Sequence, residues 1–158
     1  MMKLIKATGV AAMLSLFATA VFSQGCTQRK PQNREGSAEW ETLNQEAMDL
    51  HRAGKYDRAV VVAKKALEVA EKSADKNHPE LAESLNNLAE LYRAQGQYAE
   101  AEPLYKRSLA IREKALGPDH PNVATSLENM AALYRKTGKE KAAEGLEKRA
   151  AAIRAVKR

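Results

Sequence analysis

Leucine, alanine and tyrosine residues between positions 39 and 158 follow a helical rather than a strand-like pattern. Between Leu81 and Tyr92, apolar side chains recur three or four positions apart, which places them on one face of a helix. No stretch alternates apolar and polar residues as a half-buried strand would. The pattern therefore predicts an all-α fold.

This helical pattern returns every 42 residues, so one unit is repeated three times. Its fixed points are the glycines Gly54, Gly96 and Gly138 and, five residues after each, the alanines Ala59, Ala101 and Ala143. In the middle unit, the first helix is predicted to end at Gly96 and the second to run from Tyr98 to about Leu116. His-Pro pairs at 78–79 and 120–121 mark the starts of two units, because proline suits the first turn of a helix. Such units cannot bury their apolar faces alone, so they are predicted to stack into a solenoid with an extended binding surface.

The residues of the middle unit carry a family resemblance. The pattern L-x-x-L-A-x-x-Y-x-x-x-G-x-Y-x-x-A-x-x-x-Y, read from Leu85 to Tyr105, resembles the tetratricopeptide repeat, and the 42-residue unit resembles the kinesin-light-chain type. The resemblance implies a right-handed α-solenoid of three stacked helix-turn-helix repeats, whose first helices line a concave groove. The domain it covers is residues 39–158, with repeats at about 40–78, 79–120 and 121–158.

The middle repeat is the most apolar of the three. Tyr105 is expected to fill the space between repeats, whereas the third repeat has Glu147 at the equivalent position. The first repeat has Glu46 where the others have Leu88 and Met130. Polar end repeats are typical of solenoids whose ends face water. The last helix is therefore predicted to cap the array itself, or alternatively to dock against a second copy or a partner.

By the same resemblance, polar residues at equivalent positions of the first helices form stripes along the groove. The stripes are Asn44, Asn86 and Glu128, then Gln45, Asn87 and Asn129, then His51, Arg93 and Arg135. Amide side chains both donate and accept, so they can pair with the backbone of an extended peptide, and arginines can hold its carboxylates. The predicted peptide-binding residues are Asn44, Asn86, Asn87, Asn129, His51, Arg93 and Arg135. The implied ligand is an acidic or C-terminal segment of a protein, and the alternative is that these side chains form ordinary solvated faces.

The first 25 residues are predicted to be a signal peptide. Lys3 and Lys6 form a short positive region, and residues 7–22 are uncharged and almost wholly apolar. This run is shorter than the roughly 20 residues that span a bilayer comfortably. Export is therefore expected, with cleavage either near Ala20, after a small-x-small sequence, or just before Cys26, after an imperfect lipobox.

Cys26 is the only cysteine, so an intrachain disulfide is impossible. Its place just after the apolar segment predicts lipidation, and Thr27 then favours an outer-membrane lipoprotein facing the periplasm. A periplasmic or secreted protein is expected instead if Cys26 is not lipidated. Residues 26–38 are polar and are predicted to form a flexible tether.

Charge and motifs favour binding rather than catalysis. The chain has 26 basic and 20 acidic side chains, a formal charge of +6, and the two signs are interleaved along the helices. The sequence has no phosphate loop, HExxH pair or GxSxG elbow, and His78 and His120 occupy equivalent repeat junctions. No catalytic residue, metal or cofactor is predicted. The expected function is a non-enzymatic interaction scaffold at the bacterial cell envelope, and the alternative is a nucleic-acid binder using the basic C-terminal helices.

Overall fold

The computed structural model describes residues 32–72 and 78–156, and all the regular structure in these two ranges is helical. The helices are α1 (Gln32–Arg52), α2 (Tyr56–Lys72), α3 (Pro79–Ala94), α4 (Tyr98–Leu116), α5 (Pro121–Lys136) and α6 (Glu140–Ala155). The predicted all-α class is confirmed. The predicted signal peptide at 1–25, Cys26 and residues 27–31 of the predicted tether lie outside the described residues.

The six helices form three antiparallel hairpins, α1–α2, α3–α4 and α5–α6, stacked in chain order. Neighbouring hairpins meet where α2 packs on α3 and α4 packs on α5. The first helices also touch directly, α1 with α3 and α3 with α5, whereas α2, α4 and α6 do not contact one another. Because the first helices are closer together, they line the concave side of the stack.

Glycine ends the first helix of each repeat in the left-handed region. The φ angles of Gly54, Gly96 and Gly138 are 70°, 77° and 72°. Just after Gly96, the backbone N–H of Gln97 donates to the carbonyl of Tyr92 at 2.8 Å, which closes a Schellman-type turn. A residue with a Cβ would be strained at these positions, which explains why glycine recurs every 42 residues.

The junction histidines cap helices. His78 Nδ1 accepts from the backbone N–H of Glu80 at 3.4 Å, and His120 Nδ1 accepts from that of Asn122 at 3.1 Å. Each histidine is followed by a proline at the first helical position. The repeat-junction role predicted for both histidines is confirmed.

The largest buried side chain joins the second and third repeats. Tyr105 is 1 % exposed and packs in one cluster with Met130, Leu133 and Tyr134 of α5. At the two ends of the array, the equivalent chemistry is polar: Glu46 of α1 is exposed where Leu88 of α3 is 3 % exposed. The polar end repeats are confirmed.

The start of α1 differs from the sequence prediction. Residues 32–38, which were assigned to the end of the flexible tether, are helical because α1 begins at Gln32. Two contacts with α3 hold this part of the helix: Ser37 Oγ donates to Glu80 Oε1 at 2.5 Å, and the buried Trp40 indole donates to Ser84 Oγ at 2.6 Å. These partners are more than 40 positions away in sequence, so composition alone did not indicate them.

No helix within the described ranges is long and apolar enough to cross a bilayer.

Candidate binding groove

The predicted groove residues lie on the first helix of each repeat. They are Asn44 and His51 on α1, Asn86, Asn87 and Arg93 on α3, and Asn129 and Arg135 on α5. Because α3 contacts both α1 and α5, the three helices bring these residues together along the concave side. Their environments differ strongly from one repeat to the next.

The asparagines form a ladder between repeats. Asn87 Nδ2 donates to Asn44 Oδ1 at 2.8 Å, and Asn129 Nδ2 donates to Asn86 Oδ1 at 3.0 Å. Asn44 Nδ2 in turn donates to Glu83 Oε1 at 3.1 Å. Each bond joins first helices of adjacent repeats, so the ladder helps to fix the spacing of the stack.

The sequence prediction that these amides point outward is wrong for α3. Asn86 is 6 % exposed and Asn87 is 9 % exposed. Both are covered because α3 lies between α1 and α5, and polarity alone cannot indicate which neighbours cover a residue. The ladder leaves hydrogen-bonding capacity unused, since Asn86 Nδ2 and Asn87 Oδ1 take no part in its three bonds.

Arg93 and Tyr105 hold two unused donors side by side. Arg93 Nε and the Tyr105 hydroxyl are buried, and neither has a hydrogen-bond partner among the described residues. Arg93 Nη2 lies 3.7 Å from Glu90 Oε1, longer than a hydrogen bond, and the Arg93 side chain is 28 % exposed. The donors therefore lie at the edge of the core, next to a guanidinium that solvent can reach.

The electrostatics of this pair favour an anionic acceptor. Burial raises the pKa of Tyr105 to about 12, and the nearby Arg93 guanidinium offsets part of that rise. The two groups are close enough to interact, but no atom pair between them meets hydrogen-bond geometry. Tyr105 keeps its proton at neutral pH, so both residues can donate to a carboxylate.

Arg135, the equivalent of Arg93 in the third repeat, is fully engaged. Its Nε and Nη2 donate to Glu147 Oε1 and Oε2 at 2.8 and 2.7 Å, and its Nη1 donates to Glu140 Oε2 at 2.8 Å. The hydrogen bonds from Arg135 lower the pKa of the Glu147 carboxyl. The predicted arginine stripe is therefore not uniform, because α6 supplies two carboxylates to one of its members.

His51 contributes different chemistry to the first repeat. Its ring lies 5.6 Å from the Tyr56 ring, centroid to centroid, at an interplanar angle of 55°. This tilted contact is typical of aromatic pairs and engages one side of the imidazole. His51 occupies the predicted position but does not reproduce the guanidinium of Arg93.

A second charged cluster joins repeats two and three beside the groove. Glu102 accepts from Lys106 Nζ at 2.7 Å, from Lys139 Nζ at 2.8 Å and from the Tyr134 hydroxyl at 3.2 Å. The hydrogen bonds from Lys106 and then Lys139 lower the pKa of Glu102 from 4.5 to about 2. Glu102 is therefore ionised throughout the neutral range and serves as an anchor between repeats.

The basic C-terminal helices carry several internal ion pairs. The pairs are Lys139 with Glu102 at 2.8 Å, Arg149 with Glu113 at 2.6 Å and Arg154 with Glu128 at 2.7 Å. Cations already paired with carboxylates make a poor electrostatic footprint for nucleic acid. No group of three or more histidine, cysteine, aspartate or glutamate side chains suited to a metal occurs in the described part of the chain.

An open depression of 840 Å³ borders α1 and is lined in part by Glu46, Asp49 and Leu50. Glu46 and Asp49 are the repeat equivalents of Leu88 and Leu91, which are buried against the first repeat. The outer face of α1 is thus polar at positions where a stacked repeat would need apolar side chains.

Tyr105 is the functional candidate that sequence reasoning missed, since it was assigned only to the core. The signal that could have found it is a spacing of 12 residues from the groove arginine, which relates Arg93 to Tyr105 and Arg135 to Glu147. In both repeats, this spacing joins the end of the first helix to the middle of the second.

The sequence model of the tetratricopeptide repeat family matches residues 41–114 and 85–155. Among solved structures, BtubC (BKLC) from P. vanneervenii is 28% identical, with a TM-score of 0.68 over 74% of this chain and 47% of that one. A Podosopora anserina protein described as a kinesin light chain with nearly identical TPR-like repeats is also 28% identical, with a TM-score of 0.67 over 73% of this chain and 55% of that one. The chain thus spans about half the length of these two structures.

The TPR domain of Arabidopsis FLU has the same fold, with a TM-score of 0.67 at 20% identity over 77% of this chain and 98% of that domain. No curated protein matches the chain.

Proposed function

Because the chain belongs to the tetratricopeptide repeat family, whose domains bind protein partners, we propose that it is a non-enzymatic interaction scaffold that holds an extended acidic peptide segment in its concave groove. The observation that carries this proposal is the pair of unused donors at Arg93 and Tyr105. A ligand carboxylate can accept from both, and its charge suits the solvent-accessible guanidinium.

The asparagine ladder supports an extended backbone as the rest of the ligand. Its own bonds hold the amides in place before a ligand arrives, so little side-chain entropy remains to be lost on binding. The unused Nδ2 of Asn86 can donate to a peptide carbonyl, and the unused Oδ1 of Asn87 can accept from a peptide N–H. An extended strand offers both groups at regular spacing.

We place this scaffold at the bacterial cell envelope. The basis is the signal-like segment at 1–25 followed by the lone Cys26, both outside the described residues. A lipid on Cys26 would anchor the repeat domain to the outer membrane on its periplasmic side. Cleavage near Ala20 without lipidation would instead give a periplasmic or secreted protein.

The affinity of the full chain for synthetic acidic peptides tests the groove. Arg93→Gln should weaken binding at least severalfold, and binding to wild type should fall as salt rises. The matched control is Arg107→Gln, which makes the same charge change at a half-exposed arginine of α4 that pairs with Glu71. Equal affinities for wild type, the Arg93 variant and the Arg107 variant would contradict carboxylate recognition by Arg93.

A further inference from the structure

Repeats two and three place opposite chemistry at the same position beside the groove arginine. In each repeat, the partner residue follows the arginine by 12 positions, so Tyr105 accompanies Arg93 and Glu147 accompanies Arg135. Tyr105 offers a hydroxyl without a partner, whereas Glu147 forms two short hydrogen bonds with its arginine. One arginine therefore faces a donor and the other faces a carboxylate.

We infer that Glu147 is a built-in competitor for the ligand carboxylate, which occupies Arg135 and restricts acidic side-chain recognition to Arg93. This inference rests on the groove function proposed above. It assigns Glu147 a role in specificity, since a second accessible arginine would favour ligands with a second acidic residue.

The geometry at Arg135 is that of a bound carboxylate. A guanidinium presents parallel N–H groups that match the two oxygens of a carboxylate, and Glu147 takes the pair formed by Nε and Nη2. Glu140 takes the remaining edge through Nη1. A ligand carboxylate must displace Glu147 to reach the same two donors, whereas Arg93 Nε has no such occupant.

The exposure of the pair sets the size of the effect. The Arg135 and Glu147 side chains are 47% and 42% exposed, so water and salt weaken their attraction and displacement is feasible. Because Glu147 is tethered next to Arg135, it still competes at high local concentration. Removing its charge should therefore tighten binding of an acidic ligand modestly, by about two- to fivefold.

A labelled oligoglutamate peptide of about ten residues is the probe, with oligoglutamine of equal length as the neutral comparison. Anisotropy titrations at low salt would use the full chain and its variants. Glu147→Gln should tighten oligoglutamate binding by about two- to fivefold. The control Glu144→Gln makes the same charge change one turn away on α6, at a carboxylate that makes no hydrogen bond to Arg135, and should leave affinity nearly unchanged.

The double variant Glu147→Gln with Arg135→Gln should lose the gain. Equal tightening by the Glu144 and Glu147 variants would overturn the inference, because net charge alone would then explain it. Unchanged affinity in the Glu147 variant, with weakened binding in Arg93→Gln, would overturn the competitor but keep the groove function. A gain that depends on Arg135, with no effect of Arg93→Gln, would support the competitor and contradict the proposed role of Arg93. Glu147→Tyr, which copies residue 105, provides a second variant should the glutamine variant be unstable.

Discussion

Leu88→Ala should destabilise the whole array, whereas the repeat-equivalent change Glu46→Ala should not. Leu88 is 3 % exposed and packs with Ala47, Ala59 and Leu91 at the junction of the first two repeats. Glu46 occupies the same position on α1 but is exposed. The two variants therefore compare one helical position in a buried and a solvated setting.

The expected size follows from the atoms removed. Leucine to alanine deletes three carbon atoms, worth about 2.4 kcal/mol of burial at ~0.8 kcal/mol each. The cavity left among small alanines adds to this loss, since the helix backbones cannot close around it, so we expect about 3–4 kcal/mol within the usual range of about 2–5 kcal/mol. Glu46→Ala removes an exposed side chain and should change stability by less than about 0.5 kcal/mol.

Urea unfolding followed by circular dichroism measures both values. We expect a single transition in each protein, because three stacked repeats share their interfaces and none is stable alone. With a slope of about 1–3 kcal/mol per molar urea, Leu88→Ala should lower the midpoint by about 1–3 M. Similar losses in the two variants, or a loss below about 1 kcal/mol for Leu88→Ala, would refute the assignment of buried and capping faces.

Three further predictions concern other parts of the chain. Cys26→Ala should abolish fatty-acid labelling and move the protein from the membrane to the soluble fraction, and an unlabelled, soluble parent would contradict lipidation. Because the folded pKa of Glu102 is lowered from 4.5 to about 2, its contribution to stability is complete above 4.5 and is lost as pH falls towards 2, so the destabilisation caused by Glu102→Gln in urea titrations should shrink over that window and an unchanged difference would argue against the cluster. Gly96→Ala should cost about 1–2 kcal/mol because φ is 77°, whereas Gly145→Ala within α6 should stabilise by about 0.5–1 kcal/mol, and thermal melts showing equal effects would contradict the turn.

Local periodicity was enough to predict the helices and their order. The bounds of α4, Tyr98–Leu116, follow from the apolar spacing, the preceding glycine turn and the glycine after its last residue. The caps at His78 and His120 could also be predicted, because each uses a proline and a neighbour two residues away. These features depend on interactions close in sequence.

Contacts between repeats could not be predicted in the same way. The early start of α1 depends on Ser37 meeting Glu80, and the burial of Asn87 depends on Asn44, each pair more than 40 residues apart. The sequence did reveal that Glu147 departs from the repeat pattern, but not that its carboxylate turns towards Arg135. The groove was thus predicted in position but not in its pattern of available and occupied groups.

Side-chain NMR of the arginine Nε–H groups tests the central claim most directly. During titration with an acidic peptide, the Nε–H resonance of Arg93 should shift at the lowest peptide concentrations, together with the side-chain amide of Asn86. The resonance of Arg107 on α4 should stay unchanged, and that of Arg135 should shift less because Glu147 occupies its Nε. Peptide binding that shifts resonances of the second helices while Arg93 and Asn86 remain unchanged would contradict a carboxylate-binding groove on the concave side.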